Sequence, residues 1–164
     1  MGKLLLILPL LVGVAHAQHA PVVGAAHPEA LFSSPDPKLH RNKQTTLRIV
    51  RDLLEAGHWE DAPKYLTQRY IQHHPGVPSG LKPVMDFFSG MPKRPIPGPT
   101  EWKTKGGAVV AEGDLVVVTT VRELRDSAGK PYTTAWFDMW RFVDGKADEH
   151  WDGAEMPTAA RAGS

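Results

Sequence analysis

The chain reads as an α+β domain with helices packed on one face of a mainly antiparallel sheet, and three features lead there. Helical spacing of apolar residues dominates up to Ser89, and strand-like alternation dominates after Thr100. Between them lies a stretch carrying Pro92, Pro95, Pro97 and Pro99. Neither a helix interior nor a central strand tolerates that density of proline, because each one removes a backbone donor and fixes φ. Helices first and hairpin-linked strands second is the α+β order.

Taken in order, the chain opens on a basic Met1-Gly2-Lys3, an apolar run over residues 4–14, and Ala15-His16-Ala17, small at the two positions a signal peptidase reads. That is the layout of a secretory signal peptide, and the run is well short of the roughly 20 residues a spanning helix needs. The expectation is cleavage after Ala17 and a periplasmic or secreted protein with no stable membrane insertion. Residues 18–35 hold Pro21, Pro28 and Pro35 without periodicity and read as a flexible lead.

The domain proper spans 36–153. Asp36-Pro37 is an N-cap residue followed by proline at the first helical position. Leu39, Thr46, Leu47, Ile49, Val50, Leu53 and Leu54 recur at three- and four-residue steps, and Gly57 closes this first helix. Residues 59–66 read as a second short helix, with Glu60 and Asp61 at the end where the helix dipole favours acids. Tyr70-Ile71-Gln72-His73-His74-Pro75 is a short extended or irregular piece and residues 76–80 a turn. Residues 80–89 form a third helix, with Leu81, Val84, Met85 and Phe88 on one face.

Four strands follow. Residues 100–111 and 115–125 turn at Glu112-Gly113-Asp114, and 126–130 is a hairpin loop. A long strand over 133–143 then meets the last, 147–153, through Asp144-Gly145-Lys146, a tight Asp-Gly turn. The proline stretch is expected to be a stiff connection, with a rim over a pocket mouth as the other reading. Residues 154–164 lack an apolar pattern and read as a flexible tail.

Composition excludes several function classes. The chain has no cysteine, so thiolate metal sites, catalytic thiols and disulfide frameworks are out. Lys+Arg number 19 against 18 Asp+Glu, and removing residues 1–17 takes Lys3 and no acid, leaving the charges level. No overall field then draws the protein to nucleic acid.

The chemistry concentrates on the last two strands. Alternation puts Thr134, Trp136, Asp138, Trp140 and Phe142 on one side of the long strand. A carboxylate among aromatics is costly to bury without a partner, and desolvation favours its protonated form, which suits acid/base work. A structural aspartate satisfied by hydrogen bonds fits the residues equally well. On the last strand His150 and Asp152 share a face, and Glu149 and Trp151 the other; a bulge would exchange them. His150 comes within reach of Asp138, directly or diagonally. One of His73 and His74 belongs beside them, and the irregular backbone leaves open which. Two histidines and an aspartate could also hold a metal, although no tight ligand spacing marks one.

These segments together resemble the SnoaL-like polyketide cyclase branch of the nuclear transport factor 2-like superfamily. The likeness rests on Tyr70-Ile71-Gln72-His73-His74-Pro75, residues 80–88, Gly113-Asp114-Leu115-Val116-Val117-Val118, and Phe137-Asp138-Met139-Trp140-Arg141-Phe142-Val143-Asp144-Gly145-Lys146 running into Glu149-His150-Trp151-Asp152. It implies a cone-shaped barrel, a curved sheet wrapped against about three helices around an apolar pocket, and a homodimer formed across the sheet. It also implies proton transfer by a pocket aspartate, Asp138, with no metal and no organic cofactor. His150 and His73 are implied as the polar pocket residues, acting on a small apolar or carbonyl-containing ligand, as in an aldol cyclase, isomerase or dehydratase. Tyr70, Phe88, Trp136, Trp140 and Trp151 are expected to shape the ligand site. The alternative is a binding protein of the same fold that orients a ligand and turns nothing over.

Overall fold

The computed structural model describes residues 20–155; the expected signal peptide, and the tail beyond residue 155, lie outside them. Helix α1 (Pro37–Arg48) starts where the sequence places it, with the Asp36 side chain accepting from Leu39 N at 2.8 Å. It runs on into a wider π-wound segment, Ile49–Glu55, and Gly57, at φ 78, ends it. A 3₁₀ turn (Trp59–Asp61) leads into the single turn of α2 (Ala62–Tyr65). Strand β1 (Leu66–Gln72) precedes helix α3 (Leu81–Phe88). Strands β2 (Gly106–Glu112), β3 (Leu115–Arg125), β4 (Pro131–Val143) and β5 (Lys146–Asp152) complete the chain.

The five strands form one sheet in the order β1-β5-β4-β3-β2. Strands β2 to β5 pair antiparallel as a meander, while β1 runs parallel to β5 at the edge. The β4–β5 turn carries positive φ at Asp144 (49°) and Gly145 (80°), the backbone that a type I′ hairpin demands. The helices cover one face of the sheet, and Phe32, Leu53, Leu66, Val84, Val116, Val118 and Trp140 are almost wholly buried between the layers. This is the expected α+β cone.

Three elements differ from the sequence reading. Residues 66–72, where the sequence reading has Leu66 in the second helix and 70–72 in an extended or irregular piece, form one continuous strand, because Leu66 leaves helical geometry at φ −110, ψ 149. Strand β2 begins at Gly106 rather than 100, since the Glu55 carboxylate accepts the N–H groups of Lys103 and Thr104 and ties that stretch to the helical layer. The segment before Asp36, expected as a flexible lead, is tied to the sheet from Val22 onward. Val22 N donates to Thr133 Oγ1, Ala25 N donates to Gly106 O, and a 3₁₀ turn (Pro28–Phe32) sinks Phe32 to 1% exposure. The single aromatic anchor escaped a reading that looked for periodicity.

The proline stretch behaves as a connection. Arg94 N donates to Ala56 O, Arg94 O meets His58 Nε2, and Lys93 pairs with Glu60 at 2.8 Å. None of residues 91–102 lines the cavity described next.

Candidate functional site

A cavity of about 1010 Å³ lies between the helices and the sheet. The helical side contributes Ile49, Val50, Leu54, Trp59, Val84 and Phe88. Ile49, Val50 and Leu54 belong to the π-wound segment, a winding found frequently at functional sites. Phe88 stacks on Trp59 at 4.2 Å and fixes that wall. From the sheet come Leu66, Tyr70 and Gln72 on β1, Thr120 on β3, Trp136, Asp138 and Trp140 on β4, and His150 and Asp152 on β5. His74, just beyond β1, joins them.

Asp138 is the centre of the polar wall. It sits mid-strand between two tryptophans, as the alternation predicts, and its side chain is 14% exposed. Its Oδ1 meets Trp136 Nε1–H at 3.2 Å and His150 Nε2 at 3.2 Å. Its Oδ2 has no hydrogen-bond partner among the described residues and remains available. His150 lies opposite Trp140 in the β4–β5 ladder, one step diagonal to Asp138, with its ring 4.8 Å from the Trp140 ring. On its other side, His150 Nδ1 is 2.7 Å from Gln72 Oε1.

Tyr70 is buried to 4% exposure, and its hydroxyl accepts a hydrogen bond from Trp140 Nε1 at 3.3 Å. Burial pushes that hydroxyl above the usual tyrosine range, with the nearby Asp138 and Asp152 charges adding to it, so it stays a neutral donor. Asp152 pairs across the ladder with Asp138 and is 6% exposed. Its Oδ2 stands 4.0 Å from His74 Nε2, and its Oδ1 accepts from Ala154 N at 3.0 Å. Asp138, His150 and Asp152 are also the described residues whose donor atoms could share a cation, all lying within 4.8 Å of one another.

Two expected site residues fall elsewhere. His73 and Trp151 point to the outer face of the sheet, where they stack on each other at 4.7 Å. His73 Nε2 is 3.5 Å from Glu149 there, and the Arg141 guanidinium sits 5.3 Å from the Trp151 ring centre. The reason is alternation. Tyr70, Gln72 and His74 line the cavity, so the even positions of this stretch face inward past the irregularity between Leu66 and Ile71, and His73 is turned out. The same rule turns Trp151 out once His150 and Asp152 face in. Gln72 and Asp152 were not predicted as site residues and His74 only as the alternative to His73, although counting in twos from Tyr70 reaches Gln72 and His74.

The rim is charged. Arg122 lies 5.0 Å from the centre of the Trp136 ring, and Lys105 pairs with Glu123 at 2.6 Å, holding that carboxyl below its usual range. Lys103 completes the cationic side of the mouth. With an aromatic interior, a few convergent polar groups and a cationic rim, the cavity has the composition of a small-molecule site.

Comparison with known proteins agrees with this geometry. The SnoaL-like domain matches residues 47–150, more than half of the 164. No curated protein sequence matches the chain. Among solved structures, a candidate polyketide cyclase from Acidithiobacillus ferrooxidans aligns with a TM-score of 0.51 at 19% identity, over 73% of this chain and 89% of that one. A candidate SnoaL-like polyketide cyclase from Jannaschia sp. CCS1 gives 0.52 at 18%, over 74% and 91%. A candidate polyketide cyclase from Bacillus cereus gives 0.51 at 17%, over 81% and 84%. At these identities the structural likeness speaks for the fold. The domain match over more than half of the chain, together with the five-stranded curved sheet, places the chain in the SnoaL-like family of the nuclear transport factor 2-like superfamily.

Proposed function

We propose that this protein is exported, with residues 1–17 as its signal peptide, and performs cofactor-independent acid/base chemistry on a small carbonyl-containing molecule in the cavity. The observation that carries the reading is the state of Asp138: a largely buried carboxylate in an aromatic cavity, with Oδ1 engaged by two side chains and Oδ2 free. Oδ2 takes a proton from the carbon next to the ligand carbonyl. The C–H electron pair moves into the carbonyl, and the developing enolate oxygen accepts a hydrogen bond from Tyr70 O–H. The enolate then attacks a second carbonyl in the same molecule, as in an aldol cyclisation, and the proton held on Oδ2 passes to the new alkoxide; in an isomerisation the same proton is returned to another carbon. Trp136 and Trp140 exclude water and strengthen these interactions.

A positioned base of this kind contributes about 10²–10⁴-fold. The test is product detection across a panel of small diketones and enones. Wild type converts at least one member, and Asp138→Asn loses about 10²–10⁴ in rate while its Tm stays within a few degrees. Undiminished conversion by the variant removes Asp138 from the chemistry. Ligand binding with no conversion by wild type supports the binding-protein alternative instead.

A further inference from the structure

We infer that Gln72 is a positioning residue, which fixes the ring nitrogens of His150 so that its contact with Asp138 must carry a proton. The inference rests on the proposed role of Asp138 for its catalytic consequence, but not for its geometry.

The backbone orients the Gln72 amide. His74 N–H points at its side-chain oxygen at 3.1 Å. A backbone N–H can only donate, so the atom there is the amide oxygen and not the NH₂ group. The same oxygen lies 2.7 Å from His150 Nδ1. An amide oxygen can only accept, so Nδ1 bears hydrogen. If the ring is neutral, Nε2 then carries a lone pair, and it faces Asp138 Oδ1 at 3.2 Å. A lone pair against an ionised carboxylate oxygen is repulsive. The contact therefore holds a proton between Nε2 and Oδ1, and the proposed role of Asp138 as a base requires it on Nε2, as imidazolium beside carboxylate.

The backbone of Gln72 is itself held. It pairs with His150 in the β1–β5 ladder, its N–H donates to Ser79 Oγ at 3.0 Å, and the next residue's N–H donates to His150 O at 2.9 Å. A chain of hydrogen bonds thus crosses three strands, from His74 N–H through Gln72, His150 and Asp138 to Trp136. Without the Gln72 oxygen, neutral His150 can move its one ring proton to Nε2 and still donate to an ionised Asp138. The pair then holds one proton fewer. Gln72 thus keeps Oδ1 engaged with a proton while Oδ2 meets the ligand. For histidines that ligate a metal, removing the partner on the second nitrogen costs about 10–100-fold, and a loss of that order is expected here.

The test is the two-bond ¹H–¹⁵N spectrum of the histidine rings in the full chain, with His150→Gln for assignment. Wild type and Gln72→Glu, which keeps the acceptor, are expected to show a protonated Nδ1 on His150. Gln72→Met, nearly the same size without an acceptor, is expected to move the ring hydrogen to Nε2. On a substrate from the panel above, Gln72→Met lowers kcat about 10–100-fold with KM within about twofold, and Gln72→Glu restores most of it. An unprotonated Nδ1 in wild type overturns the inference, and this reading needs no variant to fold. An unchanged Nδ1 in folded Gln72→Met also overturns it. If the tautomer shifts as expected but no protein turns anything over, the proposed function fails and the role of Gln72 stands.

Discussion

Asp138 owes its position to the two-residue period of β4, where Trp136 and Trp140 face the same way. That period was legible because the strand is long and its register unbroken from Arg125↔Pro131 to Leu115↔Arg141. His73 was misplaced for the opposite reason: nothing in Tyr70-Ile71-Gln72-His73-His74-Pro75 announces an extended strand, so its parity was hidden. The two faces of this stretch now separate by experiment. His73→Ala is expected to leave turnover within about twofold, since its ring rests on Trp151 on the outer face. Tyr70→Phe is expected to lose about 10²–10³ in kcat, the usual cost of one donor to a developing oxyanion. Steady-state rates on one substrate check both. Equal losses from the two variants would contradict the assignment of faces.

Strand β1 decides which residues the cavity receives, and its attachment to β5 is electrostatic as well as backbone-mediated. Asp148 is buried to 3% exposure and accepts from Thr67 Oγ1 and Arg69 Nε, each at 2.7 Å. The Arg69 guanidinium, then Thr67, hold its carboxyl below the usual aspartate range, against a desolvation that pushes the other way. A carboxyl depressed in the folded state stabilises above its unfolded value, about 3.9, and the contribution is lost as pH falls through the folded value. Asp148→Asn is therefore expected to cost about 1–2 kcal/mol at pH 7, a modest charge-assisted bond given the exposed Arg69. The gap to wild type narrows in thermal melts as the pH falls below the ordinary aspartate range. A gap independent of pH would show that the bond adds nothing beyond shape. At this scale the meander, the Asp-Gly turn and the capped first helix were legible because each has a local signal. The parallel β1–β5 pairing joins residues about 80 apart in sequence, and no local pattern encodes it. The π-wound segment likewise reads as ordinary helix, since a single wider turn barely disturbs the apolar spacing.

The whole molecule combines an inner face that lines the cavity and an outer face that exposes several apolar side chains. Val110, Phe137 and Val143 are 63%, 56% and 46% exposed on the strands, beside the stacked His73 and Trp151. Covering such a face fits the homodimer that the family resemblance implies. Phe137→Asp is expected to convert a dimer to a monomer in size-exclusion chromatography with light scattering, leaving helix content unchanged. A wild-type monomer would contradict the dimer. The cone and its cavity became legible from the ordered motifs taken together, whereas the ligand did not. A cavity of about 1010 Å³ lined mostly by aromatic and aliphatic groups admits many molecules, and the proposed reaction rests on a few polar atoms. The measurement that bears most directly on those atoms is hydrogen–deuterium exchange at the ligand carbon next to its carbonyl, followed by NMR in heavy water. Wild type is expected to exchange that position in a bound carbonyl compound, and Asp138→Asn to bind the same compound with exchange reduced at least about 10²-fold. Equal exchange in both proteins, or binding without exchange in wild type, would contradict the account.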